Sequence, residues 1–267
     1  MVTHSARLEQ GDVLIEDIVF DSGEQGPTEA FLVRPAARGE EPYAGILFVH
    51  WYEPHAQNSN RTQFLDEAIE LARHGTVCLL VSTMWSDVEW FGKRKSADDY
   101  QATVRQTEAL RRAVDVLIAQ PGVDPERIAY VGHDFGAMFG ATLAATERRI
   151  HAYVLIGGAA RYTDWYLFGA ADGLPSGGAL EAYRAALAPL DPVEALRQAS
   201  GHFLLQFGDF DPYTPRENYM AFYRATPSPV QYIVYPTDHA LDAPIVREDR
   251  MAWLETQLGF AERATAR

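Results

Sequence analysis

The sequence predicts an α/β fold: a mostly parallel central sheet flanked by helices, with a short lid insertion. Three observations lead there. Short apolar runs alternate along the chain with longer stretches of helical periodicity. The runs at 45–50, 76–82 and 152–156 are nearly continuous, as in strands buried on both faces. Hydrophobic residues make up 47% of 267 positions, enough for one large core. Residues 1–267 are therefore expected to form a single domain, with 159–200 as the lid inserted within it.

Taken in order, residues 13–20 and 29–34 lie close together across Asp21-Ser22-Gly23 and Gly26-Pro27, which predicts an antiparallel hairpin at one edge of the sheet. Residues 45–50 form a buried strand ending in His50. A helix over 62–73 and a strand over 76–82 complete one βαβ step. From 98 to 119, Tyr100, Val104, Leu110, Val114, Leu117 and Ile118 recur near helical spacing, with Arg105, Glu108, Arg111 and Arg112 on the other face. Pro121-Gly122 ends that helix. A strand over 127–132 leads into a helix over 134–145, whose Gly136, Ala137, Gly140 and Ala141 permit close approach to the sheet. The strand at 152–156 stops at Gly157-Gly158. Residues 159–200 break the rhythm with aromatic residues, Gly173, Pro175, Gly177-Gly178 and Pro189, and read as the lid. A strand at 202–207, a helix after Thr214, a strand at 230–235 and a helix over 243–258 finish the chain. There is no internal repeat.

A net charge of −14 and a pI near 4.9 argue against a nucleic-acid partner, which needs clustered Lys and Arg. Lys93-Arg94-Lys95, beside Asp98 and Asp99, is expected to be a solvated loop. Cys78 is the only cysteine, so no intrachain disulfide forms, and its apolar neighbours predict an inert buried thiol. Neither a signal-like N-terminus nor a membrane-length apolar run is evident, so the expected address is cytoplasmic. Expected partners are a small-molecule substrate and, at most, a second copy in a homodimer. No cofactor and no metal are expected, since the spacings of His50, His55, His133 and His239 match no zinc pattern.

Gly132-His133-Asp134-Phe135-Gly136 carries the chemistry. It follows an apolar strand and opens a helix, the sharp turn that projects a nucleophile from the top of a sheet. An aspartate there meets the free amides and positive end of the helix, which predicts an ionised Asp134. Taken alone, it reads equally well as a helix cap. Two later loops change the balance. Gly208-Asp209-Phe210-Asp211-Pro212 follows a strand and precedes Thr214-Pro215, where Thr214 and Glu217 look like a capping box. Tyr235-Pro236-Thr237-Asp238-His239 follows the next strand. Asp134, Asp211 and His239 thus fall in the order nucleophile, acid, histidine at one sheet edge, with Asp209 as the second choice for the acid. The turn after His50 is placed to supply an oxyanion-hole amide from Trp51 or Tyr52, beside that of Phe135.

These residues resemble the α/β-hydrolase superfamily. The segment Val131-Gly132-His133-Asp134-Phe135-Gly136-Ala137 resembles the elbow of its epoxide hydrolases and haloalkane dehalogenases, which use an aspartate nucleophile. The wider frame, Asp211 before a helix and His239 near the end, resembles the dienelactone hydrolases, whose elbow residue is usually cysteine. The resemblance has departures. Phe135 stands where the dehalogenases place the tryptophan that holds the halide, and His50-Trp51-Tyr52-Glu53-Pro54 is longer than the His-Gly-x-Pro turn of those relatives.

The resemblance implies that Asp134 displaces a leaving group at an sp³ carbon and that His239, oriented by Asp211, activates water against the resulting ester. An epoxide is expected ahead of a haloalkane. Tyr162 or Tyr166, with Tyr183 behind them, would protonate the leaving oxygen. His50, Trp85, Trp90, Phe91 and Trp165 are expected to line an apolar pocket. The alternative is an ester or lactone hydrolase in which Asp134 and His239 act as general base on water, and a further alternative is a non-catalytic ligand-binding protein.

Overall fold

The computed structural model describes residues 2–37, 42–168 and 175–259. Its centre is a nine-stranded sheet in the order β1-β2-β3-β5-β4-β6-β7-β8-β9. The strands are β1 (Val2–Gln10), β2 (Val13–Asp21), β3 (Pro27–Pro35), β4 (Tyr43–Val49), β5 (Thr76–Val81), β6 (Val123–His133), β7 (Ala152–Ile156), β8 (His202–Gly208) and β9 (Val230–Tyr235). The contacts β1/β2, β2/β3 and β3/β5 are antiparallel, and all pairings from β5 through β9 are parallel. The predicted hairpin is therefore present but is not the edge. β1 covers it, and residues 3–10 are exposed on both faces, so that strand has no hydrophobic alternation to betray it.

Nine helices are present among the described residues: α1 (Leu65–Arg73), α2 (Trp90–Lys93), α3 (Asp99–Ile118), α4 (Phe135–Ala144), α5 (Tyr162–Tyr166), α6 (Gly178–Leu187), α7 (Pro192–Leu196), α8 (Arg216–Ala225) and α9 (Pro244–Leu258). Successive strand residues point to opposite faces, so the apolar strands feed two cores. Leu47, Val49, Tyr130 and Leu155 join residues of α3, α4 and α8 on one side. Ile46, Phe48, Ala129 and Val131 join α1 and α9 on the other. No described helix is long and apolar enough to cross a membrane.

Two local expectations need correction. Tyr100 and Val104 of α3 face solvent, at 39% and 40% exposure, whereas Thr103 and Gln106 are buried. Polar residues occupy that face because partners await them: Thr103 Oγ1 lies 2.8 Å from the Tyr166 hydroxyl, and Gln106 Oε1 accepts from the Met84 amide at 2.7 Å. Arg94 is not a solvated loop charge. Its side chain is buried against Phe91 and Tyr166 and pairs with Asp99 at 2.6 Å. Within the expected lid, the described residues carry α5, α6 and α7, and α7 packs on α4 and α8. Residues 169–174 of the expected lid, Gly173 among them, lie outside the described residues.

Candidate functional site

β4 is hydrogen-bonded between β5 and β6, so the chain crosses over there and the loops leaving β4 and β6 diverge from a common edge. The two glycines of the elbow make that edge tight. A Cβ on Gly136 would lie 2.2 Å from the Val49 carbonyl oxygen, and one on Gly132 would lie 2.3 Å from the Gly136 carbonyl oxygen. Between them Asp134 has φ +55° and ψ −114°, a conformation that costs a non-glycine residue on the order of 1–3 kcal/mol. Its amide is held by the Ile156 carbonyl at 2.8 Å.

The structure brings Asp134, Asp211 and His239 together. His239 Nδ1 donates to Asp211 Oδ2 at 2.7 Å. Asp211 is held in turn by the amides of Tyr213 and Thr214, at 2.8 and 3.1 Å, and by the Thr214 hydroxyl. Thr214 thus serves the carboxylate and does not cap α8, whose N-cap position is Pro215 without a side-chain hydrogen bond. Asp209 is exposed and takes no part. On the other side of the imidazole, His239 Nε2 faces Asp134 Oδ1 across 3.9 Å, too far for a direct hydrogen bond. Neither atom has a partner, and both are buried.

The electrostatics of Asp134 differ from the expectation of a plainly ionised group. Burial drives its carboxyl up to about 7, against the opposing effects of His239 and of the Tyr52 and Phe135 amides. The helix terminus is outweighed because Asp134 is fully inaccessible. Burial also pulls His239 down, yet its hydrogen bond to Asp211 and the charges of Asp134, Asp211 and Glu53 leave it raised. Asp211 is pushed up by burial but held below the usual carboxylate range by His239 and Thr214. Asp134 and His239 are both raised and face each other, an arrangement in which the two titrate as a coupled pair.

The turn after β4 resolves which amide faces the elbow. Tyr52 N donates to Asp134 Oδ2 at 3.0 Å, whereas Trp51 N is occupied by Gln63 Oε1 at 2.8 Å. Tyr52 and Phe135 supply the donors, and Trp51 supplies a wall: its indole stacks on His133 and lies 6.3 Å from the His239 ring.

His50, expected at the pocket, has both ring nitrogens engaged within the scaffold. Its Nδ1 donates to the Trp51 carbonyl at 2.7 Å, and its Nε2 accepts from Ser86 and Thr83 hydroxyls at 2.8 and 2.9 Å. Burial lowers its pKa to about 4, so it is a neutral brace for the turn.

The predicted pocket residues separate into two groups. Trp165 lies 5.4 Å from the His239 ring and 5.8 Å from Phe135, with an unpartnered buried indole N–H. Trp90 and Phe91 pack around Tyr52. Trp85 instead sits behind Phe135 and Phe139, fully buried, donating its indole N–H to the His50 carbonyl at 3.1 Å. The two phenols expected as acids are also committed elsewhere: Tyr162 pairs with Thr142 at 2.9 Å and Tyr166 with Thr103 at 2.8 Å. Burial raises both above the ordinary tyrosine range. Tyr183 donates to Asp99 at 2.5 Å.

Sequence reasoning missed Gln63, Thr214 and Tyr213. The last stands edge-on to His239 at 5.1 Å, and its only signal in the sequence is its place after Asp211-Pro212.

No family model and no curated protein matches the sequence. Solved structures do match over nearly the whole chain. An acetyl xylan esterase from Paenibacillus sp. R4 superposes with a TM-score of 0.77 at 16% identity, over 96% of this chain and 88% of its own. A protein from Klebsiella pneumoniae subsp. pneumoniae MGH 78578 assigned as a dienelactone hydrolase gives 0.64 at 15% identity, over 93% and 99%. A cold-adapted esterase from an Arctic intertidal metagenomic library gives 0.70 at 12% identity, over 94% and 97%. The chain has the α/β-hydrolase fold.

Proposed function

We propose that this chain is a hydrolase of esters or lactones in which Asp134 and His239 act together on water. One observation carries the reading: the unpartnered Asp134 Oδ1 and His239 Nε2 face each other at 3.9 Å, with the carboxyl poised at about 7. A base titrating near the working pH is both available and strong enough to take a proton. The esterase and dienelactone hydrolase names on similar folds support the same class.

The pair begins with one proton, as aspartate and imidazolium. Asp134 takes a proton from water while the water oxygen attacks the acyl carbon. Protonation loosens the carboxyl's hold on the Tyr52 and Phe135 amides just as the substrate oxygen becomes negative and needs them. The C–O bond then breaks, and the His239 imidazolium protonates the departing alkoxide. The proton on Asp134 passes to His239, which restores the starting state and releases an acid and an alcohol. Asp211 stabilises the imidazolium throughout.

A second reading is favoured by a separate observation. Tyr52 N already donates to Asp134 Oδ2, as it would if the amides served an oxyanion formed on Asp134 itself. Asp134 would then attack an sp³ carbon, and water would cleave the aspartyl ester. An epoxide fits this route less well now that the phenols of Tyr162 and Tyr166 are committed to threonines.

Aryl esters and simple lactones are the test substrates. Turnover should fall by about 10³-fold or more in Asp134→Ala and recover in Asp134→Ser. Absence of ester and lactone turnover, together with a substrate-derived mass adduct on Asp134 in His239→Gln, would replace this reading with the second.

A further inference from the structure

Three hydrogen bonds run behind the site and join its three loops. Trp51 N donates to Gln63 Oε1 at 2.8 Å, Gln63 Nε2 donates to His133 Nδ1 at 2.7 Å, and His133 Nε2 donates to the His239 carbonyl at 2.9 Å. The directions admit one assignment. A carbonyl can only accept, so His133 carries its proton on Nε2; its Nδ1 must then accept from the amide of Gln63, which leaves Gln63 Oε1 for Trp51. Both side-chain polar atoms of Gln63 and both ring nitrogens of His133 are engaged, and the His133 ring stacks on Trp51 and lies 5.3 Å from that of His239.

We propose that Gln63 and His133 are positioning residues that set the oxyanion turn and the histidine loop against the elbow. Gln63 lies at the far end of the β4–α1 connection that also carries Trp51 and Tyr52, and His133 directly precedes Asp134 in the elbow. By capturing the Trp51 amide, Gln63 leaves the following amide, that of Tyr52, aimed at Asp134 Oδ2 at 3.0 Å. By holding the His239 carbonyl, His133 fixes the backbone from which the imidazole reaches Asp211. His133 must be neutral for this, and burial keeps it so, its pKa well below the ordinary value. A glutamine amide is the one side chain of this length that accepts from Trp51 and donates to a neutral imidazole at once.

The inference rests on the hydrolase reading for its kinetic consequence but not for its structural one, so the test has two arms. In the kinetic arm, Gln63→Leu and His133→Leu should each lower kcat by about tenfold or more, with KM changed less than threefold, because misplaced amides and imidazole cost transition-state and not ground-state binding. His133→Gln places an amide N–H where Nε2 stood and should recover kcat to within about threefold of the parent.

In the second arm, the Asp134 carboxyl is titrated by carbon NMR in the absence of substrate. Withdrawal of the Tyr52 N–H in Gln63→Leu should raise its midpoint by about half a pH unit, since a donor to the charged form is lost. The other charges acting on it, His239 and Asp211, are untouched by the substitution, as are Glu53, which acts on His239, and Arg250, which acts on His133. An unmoved Asp134 midpoint overturns the positioning role whether or not a substrate has been found. So does a kcat within twofold of the parent in both leucine variants, or a His133→Gln variant as impaired as His133→Leu. If the leucine variants do not fold, His133→Gln against the parent decides. Failure of every ester, lactone and alkyl substrate with the parent enzyme removes the hydrolase reading and leaves the titration to stand alone.

Discussion

His133 and His239 are neighbours with opposite chemistry. Both are buried, at 1% and 5% exposure, and their rings lie 5.3 Å apart. His133 is held between an amide and a carbonyl, and its pKa falls well below the ordinary value through burial and the nearby His239. His239 is held by a carboxylate and faces a second one, and its pKa rises. Burial penalises the charge on each equally in kind, so the partner decides: neutral partners make a strut, and anionic partners make a proton carrier.

The largest expected effect comes from making His239 resemble His133. Asp211→Asn leaves a neutral partner on Nδ1, so the imidazolium loses its counter-charge and its tautomer is no longer fixed. Hydrolysis should fall by about 10³- to 10⁴-fold, and the His239 proton resonances should titrate at lower pH than in the parent. A loss under tenfold would mean that Asp211 does not govern His239.

The next effect concerns stability. Asp134 has a folded pKa of about 7 against 3.8 for the ordinary group. Between those values the folded chain binds the proton that the unfolded chain has lost, so this group's contribution falls as pH rises from about 4 to 7. Asp134→Asn carries no such penalty. It should be inactive yet more stable than the parent by about 1–2 kcal/mol at pH 8, with a smaller gain at pH 5, measured by denaturant unfolding. Equal gains at both pH values would contradict a raised Asp134.

The smallest effect tests the correction to the tyrosines. Tyr162→Phe and Tyr166→Phe each remove one hydroxyl that is paired with a threonine, so each should cost about 1 kcal/mol of stability and change kcat by less than threefold. A large loss of kcat with normal stability would return a phenol to the reaction.

Most of the sheet was legible because its parallel strands are continuously apolar and its helices periodic. β1 was not, since a strand exposed on both faces leaves no pattern. The order Asp134, Asp211, His239 was readable from strand-to-loop punctuation, and all three side chains meet. What could not be read was the partner of each polar atom. Thr214 looked like a helix cap but turns to Asp211. His50, Trp85, Tyr162 and Tyr166 looked like pocket residues because they are aromatic or polar near the right loops, yet each is satisfied within the scaffold. Gln63 had no local signal, since its two partners are 12 and 70 residues away. The helix terminus alone did not reveal that Asp134 is raised to about 7, because the burial that outweighs the terminus is a tertiary property.

A single turnover in heavy-oxygen water tests the central claim, that Asp134 and His239 direct water onto the substrate. With enzyme in excess over an ester, the first product acid should carry the label in its carboxyl group, and the peptide containing Asp134 should remain unlabelled. Label entering Asp134 first, with unlabelled product from the first turnover, would contradict the account and make Asp134 the nucleophile.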